Sequence, residues 1–468
     1  MPDAVFYHIF VDRFRRSGGS SATLHGNISP RTPHGGNLTG IIEAIPYLRD
    51  LGVNTLYLTP IFRAASYHKY DTIDYFTMDP AFGTNEDLDQ RVRELHRSGM
   101  RLVLDGVFNH CSDQHPFFLD AQARGRRSEY WNWFDMNGGG DALPPQPGYR
   151  CWAGVPKMPE WNHENPDVVQ YLLSVVRYWI EQHRIDGWRL DTTEYLPPDF
   201  TREIYRTVKS ANPECYVLGE VMGLATSWFR HQALDGVMHY RLWEGCVRLF
   251  AHGACDPQTF VSELYKLWNS YPEDCSYGSL TLLSSHDKPR FLSQCGGDVR
   301  RLVLALVFQF TFPGAPCVYY GDEIGLRGGD DPDNRRPFPW SEEIWDRQIL
   351  DQVKTLVKLR AESIPLRRGA VNLYRADDHL LSYIRSHGTK QVLIALNLNP
   401  DQNIVLPLPE GKWTGWNSEQ VFGQELAVPA LAYRIFRSPA SADLPPAGTA
   451  PSTSVLMSPR RDPGSSRG

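Results

Sequence analysis

The chain has 468 residues, 41% hydrophobic and 22% charged. It is too long for one ordinary domain of roughly 100–200 residues and has the composition of a soluble globular protein. A formal net charge of −6 argues against sequence-independent nucleic-acid binding, which needs a basic surface to displace counterions. The longest apolar stretch, about Leu302–Phe312, is too short to span a bilayer.

In chain order, VFYHIF (5–10) predicts a first strand and LTGIIEAIPYLRDLG (38–52) a helix. VNTLYLTP (53–60) predicts a second strand, NEDLDQRVRELHRSG (85–99) a helix, and RLVLDGVF (101–108) a third strand. Cys111–Asn165 is rich in Trp, Pro and Gly. It is far longer than an ordinary connection of about 4–6 residues and is expected to form a small inserted lobe. DVVQYLLSVVRYWIEQHR (167–184) and DFTREIYRTVKSAN (199–212) predict helices around a fourth strand, IDGWRLD (185–191). CYVLGEV (215–221), DGVMHY (235–240), SLTLLSSHD (279–287) and APCVYYGDE (315–323) complete eight strands, followed by a helix over Ile344–Glu362.

Strands alternating with helices imply a parallel sheet. Eight units suggest a closed (β/α)8 TIM barrel built from residues 1–110 and 166–362, although spacing alone leaves a doubly wound sheet open. Residues 363–437 switch to period-two patterning with turn-rich punctuation, which predicts a C-terminal antiparallel β-sandwich. In 438–468, Pro, Gly and Ser fill more than half the positions, which predicts a disordered tail.

The eight cysteines form no Cys-x-x-Cys pair and no metal-ligand cluster. They read as reduced thiols, several inside apolar runs. VFYHIF begins almost at the N-terminus, leaving no room for a signal peptide, so a cytoplasmic location is expected. The aromatic fraction, 12% with 13 Trp, fits either a large core or platforms lining a ligand cleft.

Barrel enzymes carry their active sites at the C-terminal ends of the strands. Those ends supply Asp105, Asn109 and His110 (third), Arg189 and Asp191 (fourth), Glu220 (fifth), His286 and Asp287 (seventh), and Asp322 and Glu323 (eighth). Any one acid there could be a cap or a surface charge. So many together repel and desolvate one another, which function must justify. Metal ligation would call for a His-rich set, and the first strand offers only His8. Glycoside hydrolysis calls for a nucleophilic carboxylate and a proton-donating one.

YHKYDTIDYFTMDPAFG, DGVFNH, GWRLD, LGE and SSHD resemble, in order, the signature blocks of the α-amylase superfamily of retaining glycosidases. KMPEWNHENPDV (157–168), CGGDVR (295–300) and GDEIGLRGGDDPDNRRPFPW (321–340) resemble the cyclomaltodextrinase, neopullulanase and maltogenic amylase group. The resemblance implies Asp191 as nucleophile, Glu220 as general acid/base and Asp287 as transition-state stabiliser. It further implies sugar contacts from Tyr70, His110 and His286, an Arg189 that keeps Asp191 ionised, and an Asp331–Arg335 pair gripping the next glucose. Trp161, in the MPEWN block, is expected at the acceptor side, and Trp152, Tyr130, Trp131 and Trp133 beside the cleft. Asp105 reads as support for the barrel floor through Arg189.

This sequence departs from the group in three ways. The barrel begins at about residue 4, so the group's leading β-domain, used for dimers, is expected to be missing and the protein to be a monomer. The group's Asn/Asp-rich calcium loop is replaced by FRRSGGSSATLHGN and Gly35-Gly36-Asn37-Leu38. Hard cations need several oxygen ligands, so no cofactor or metal is expected to be required. Thr192-Thr193-Glu194-Tyr195 and Met222 differ from the group near the acceptor subsites. The implied activity is hydrolysis of α-1,4-glucosidic bonds in cyclodextrins, starch or pullulan, with some transglycosylation. Alternatives are a transferase, an enzyme of small α-glucosides, or a non-catalytic binding relative. The partner is then an α-glucan, not nucleic acid or membrane.

Overall fold

The computed structural model describes residues 2–18, 32–136, 148–377, 379–418, 420–438 and 456–457. Eight short parallel strands form its centre: β1 (Phe6–Ile9), β2 (Thr55–Leu58), β3 (Arg101–Gly106), β4 (Gly187–Leu190), β5 (Tyr216–Gly219), β6 (Gly236–Val237), β7 (Leu280–Leu282) and β8 (Ala315–Tyr319). Their order is β6-β5-β4-β3-β2-β1-β8-β7. A parallel bridge between Met238 and Leu280 joins the two outer strands. The sheet is therefore a closed barrel, which decides between the two architectures left open by spacing.

The strands are continuous apolar runs because both faces are buried. Phe6, Tyr57, Val103, Leu218, Leu280 and Cys317 pack together inside the barrel, while their neighbours Tyr7, Leu56, Leu102 and Val217 join the larger core beneath the helices. Helix boundaries follow local chemistry. Asn85–Arg97 starts at a capping box between Thr84 and Asp87 and buries Leu88, Val92 and Leu95. Asn165 caps Pro166–Glu181, whose first residue is a proline. Asp346 caps Arg347–Glu362. The helix expected over 38–52 is two, Leu38–Glu43 and Ile45–Leu51, since Pro46 has no N–H to continue the ladder.

Some elements had no clear sequence signal. A hairpin of Phe62–Ala64 and Thr72–Met78 follows β2. Between β6 and β7 lie four helical segments, Tyr240–Cys246, Val247–Ala251, Pro257–Trp268 and Glu273–Gly278. The stretch 111–165 contains the helix Pro116–Arg124, short 3-10 turns and antiparallel bridges such as Phe134 to Trp161; residues 137–147 of it lie outside the described residues.

After a short helix, Ile364–Arg368, a seven-stranded sheet has as its long central strands Ala370–Asp377, Leu380–His387, Lys390–Asn397 and Ala432–Arg437. The Ile404–Pro407/Glu425–Val428 pair packs with it around Leu393, Leu406, Trp413 and Phe436. Of the expected disordered tail, Ser438 donates its N–H to Gln391 and Leu456–Met457 pairs with Ala370–Asp377, while the remainder lies outside the described residues. No disulfide is formed among the described residues. Among the described residues no helix is long and apolar enough to cross a membrane.

Candidate active site

An open cleft of about 430 Å3 lies at the C-terminal ends of the strands. Eight of the ten residues expected from sequence line it: Tyr70, His110, Asp191, Glu220, His286, Asp287, Asp331 and Arg335. Arg189 lies just below, fully buried, and is the hub. Its Nη1 is 2.8 Å from Asp191 Oδ1 and 2.9 Å from Asp105 Oδ1, and its Nη2 is 2.8 Å from Glu220 Oε1 and 4.0 Å from Asp287 Oδ2. Residues 189 and 191 share this side because side chains along a strand alternate.

Burial raises Asp105, Asp191 and Glu220 alike, and the Arg189 guanidinium lowers each. For Glu220 the outcome is about 7. One cation facing this many carboxylates leaves the set holding a proton near neutrality, and it titrates as a set.

Asp105 sits at the base of the cleft, as expected. Tyr57 and Tyr70 donate to its Oδ2 at 2.7 and 2.9 Å. Tyr70 Oη is also 2.5 Å from His286 Nε2, and the two rings lie parallel, 5.5 Å apart. The turn of the hairpin after β2 presents Tyr70. Asp71 accepts from the Ser66 backbone, and Lys69, in a left-handed conformation with φ 66°, pairs with Asp79 at 2.7 Å. His110 bonds the Tyr70 carbonyl at 3.1 Å and faces Trp152. Burial lowers both His110, to about 3, and His286. Both rings are therefore neutral, suited to hydrogen-bonding an uncharged ligand. Arg335 joins Asp331 at 3.0 Å, approaches Asp287 at 3.5 Å and donates to the His286 carbonyl at 2.8 Å.

Several residues have roles that the sequence did not disclose. Thr192 adopts φ 44°, ψ 44°, a costly region for a β-branched residue. That conformation aims its N–H at Glu220 Oε2, 2.7 Å away. Thr193 Oγ1 accepts from the Glu220 backbone N–H at 3.0 Å. Thr192 thus fixes the Glu220 carboxylate and Thr193 its backbone. His68 and Met158 also line the cleft. His68 stands in the same HKYDT block as Tyr70 and could have been found there; Met158 carried no distinguishing signal.

Three expectations are corrected. Trp161 is not a cleft residue: it is 3% exposed, stacks on Phe134 and donates Nε1–H to Tyr75 Oη at 3.1 Å. The large ring serves as the core of the inserted stretch. Tyr130 and Trp133 pack around Phe117, and they and Trp131 lie off the cleft wall. Asp322 and Glu323 turn away from the cleft: Asp322 pairs with Arg290 at 2.8 Å, and Glu323 is sequestered by Tyr7 and Tyr47. Trp152, Glu194, Tyr195 and Met222 do line the cleft. Glu194 Oε1 accepts from the Gly223 N–H at 2.9 Å, tying the loop after β4 to that after β5.

Among the described residues no group of three or more His, Cys, Asp or Glu is placed to hold a metal. The loop read as a lost calcium site falls mostly on residues 19–31, outside the described residues. Asn37, its nearest described candidate, caps helix Leu38–Glu43 through the Gly40 N–H.

Comparison with known proteins places this site in a family. The family model for the α-amylase catalytic domain matches residues 8–352, and that for the maltogenic amylase C-terminal domain matches 372–436. A cyclomaltodextrinase of Geobacillus thermopakistaniensis is 41% identical over 423 residues, 88% of this chain and 72% of that protein. Neopullulanase 2 of Thermoactinomyces vulgaris is 39% identical, over 90% of this chain and 75% of that one. The ligand-free cyclic α-maltosyl-(1→6)-maltose hydrolase of Arthrobacter globiformis superposes with a TM-score of 0.85 at 33% identity, covering 93% of this chain and 98% of that structure. The chain belongs to the α-amylase family of glycoside hydrolases.

Proposed function

We propose that the protein is a retaining hydrolase of α-1,4-glucosidic bonds in cyclodextrins, starch or pullulan. The observation that carries this reading is the convergence of Asp191, Glu220 and Asp287 on Arg189 in one cleft. Asp191 attacks the anomeric carbon while Glu220 gives its proton to the departing glycosidic oxygen. Retention requires the proton the cluster keeps near neutrality to sit on Glu220. Burial and the neighbouring carboxylates push Asp191 well above its ordinary value too, and the guanidinium 2.8 Å from its Oδ1 is the group that opposes this and favours the ionised nucleophile. In the second half, Glu220 takes a proton from water, whose oxygen displaces Asp191 from the sugar. Asp287, His110 and His286 bond the sugar hydroxyls, Tyr70 supplies a stacking face, and Asp331 with Arg335 holds the next residue. No step requires a metal, and activity is expected to survive chelation by EDTA; loss of activity restored by calcium would refute this part.

A second reading, hydrolysis of small cyclic glucans containing α-1,6 links, is favoured by the end-to-end match to the Arthrobacter hydrolase. Product analysis on β-cyclodextrin, soluble starch, pullulan and cyclic maltosyl-maltose side by side tests both. Maltose and short maltooligosaccharides from the first three support the main reading. Turnover of the last alone would replace it, and turnover of none would overturn both.

A further inference from the structure

We propose that the seam between the last barrel helix and the C-terminal sheet is a second glucan-binding site, centred on Trp416 and sharing no residue with the catalytic cleft. The hollow there has a volume of about 400 Å3, close to that of the cleft. Helix Arg347–Glu362 presents Gln348, Gln352 and Thr355 to it. Spaced four and three residues apart, these lie on one stripe. Two lysines of the helix are paired: Lys354 with Asp50 at 2.5 Å and Lys358 with Glu362 at 3.9 Å. Buried Leu356 and Leu359 form the floor.

The sheet supplies Asn417, Tyr433 and Trp416. Tyr433 Oη donates to Gln352 Oε1 at 3.0 Å and so fixes the amide, whose Nε2 is buried without a hydrogen-bond partner among the described residues. A buried donor left in this state costs free energy until a ligand or water accepts from it. The Trp416 backbone is anchored by its N–H to the Ile435 carbonyl at 3.0 Å, and Arg437 lies over the ring at 5.8 Å.

The lining selects for chemistry. It contains two aromatic rings, three amides and a hydroxyl, with no carboxylate; of its two arginines, Arg434 donates to the Tyr433 carbonyl at 3.2 Å. Arg300 at its rim is already paired with Asp298 at 2.9 Å. Rings that stack on apolar sugar faces, beside amides that bond hydroxyls, fit a neutral carbohydrate rather than an anion. Trp416 also borders an adjoining hollow of about 380 Å3. One ring shared by two hollows suits a chain of sugar units better than a single one. That the chain is an α-glucan rests on the function proposed above.

The test is calorimetric titration of the Glu220→Gln protein with maltoheptaose. Two sites are expected, and adding Trp416→Ala should leave one. Thr355→Arg, at an exposed position, fills the same hollow without touching the core and should weaken the second site about tenfold. In the active enzyme, both substitutions should lower kcat/KM on soluble starch several-fold and leave it on maltotriose within about twofold. A single site in the Glu220→Gln protein, or a second site that survives both substitutions, overturns the proposal. So does displacement of the second-site glucan by excess inorganic phosphate, which would mark an anion site. If the wild-type enzyme fails on maltotriose, the reading of the cleft falls, while the isotherm still judges Trp416.

Discussion

Two regions of the molecule bury arginine, and they do so in opposite ways. At the mouth of the barrel, Arg189 serves three carboxylates within 2.9 Å and a fourth at 4.0 Å. Between the barrel and the C-terminal sheet, Arg360 and Arg385 bond carbonyl oxygens and, among the described residues, no carboxylate. Arg360 holds those of Phe310, Gly314, Leu366 and Pro2, and Arg385 those of Gly369 and Thr311. Burial lowers Arg360 to about 9 and Arg385 to about 10, whereas its carboxylates keep Arg189 raised. A surplus of negative charge around one cation keeps a proton available for chemistry. A cation matched to carbonyl dipoles does no chemistry and fastens two units together.

This contrast predicts opposite mutational profiles. Asp191→Ala should lower kcat by about 10⁴-fold or more, and Glu220→Gln by about 10²–10⁴-fold. Neither should lower the urea midpoint, because each removes a carboxylate from a crowded set. Near-normal turnover in either variant, measured on β-cyclodextrin, would sink the assignment. Arg385→Met should do the reverse. It strands the Thr311 carbonyl and leaves that of Gly369 with the Tyr277 hydroxyl alone, and it should cost about 1–3 kcal/mol in urea unfolding, with kcat per folded molecule unchanged. A fall in kcat with an unmoved midpoint would erase the distinction between the two regions.

The sequence made one half of this contrast visible and hid the other. Asp191, Glu220 and Asp287 end strands that read as sharp apolar runs, so their placement at the barrel mouth was legible. Arg360 and Arg385 sit in an ordinary amphipathic helix and an alternating strand, where nothing marks a buried cation. Side-chain direction was the general limit. Asp322 and Glu323 end β8 just as Asp191 ends β4, yet they turn away from the cleft. Trp161 lies in a recognisable block, yet points into the core. The left-handed Thr192 was hidden too, because backbone dihedrals at a threonine have no sequence signature comparable to glycine's.

The shared proton gives a test by pH. Glu220, raised to about 7, must be protonated in the free enzyme, so kcat/KM should fall as pH rises through about 7. Asp105 raises Glu220 by repulsion and competes with it for Arg189. Asp105→Asn should therefore move the alkaline limb of the kcat/KM profile to lower pH. A limb that stays in place would mean that the carboxylates around Arg189 do not share a proton.

Glu323 tests the same logic with no cation at all. Its Oε1 accepts from Tyr7 and Tyr47 at 2.6 and 2.5 Å, and its Oε2 has no hydrogen-bond partner among the described residues. Burial raises the carboxyl from 4.5 to about 7 despite both hydroxyls. The folded chain thus binds this proton more tightly than the unfolded one. Its stabilising contribution is complete below pH 4.5 and is lost as pH rises through about 7. Glu323→Gln keeps an acceptor for both tyrosines and cannot ionise. Its melting temperature should match that of the wild type near pH 4.5 and exceed it at higher pH, by about 3 kcal/mol of stability near pH 8. Equal pH dependence in the two proteins would show that Glu323 stays charged in the core. A buried carboxylate would then need no guanidinium to ionise, and the surplus around Arg189 would lose its meaning as a proton store.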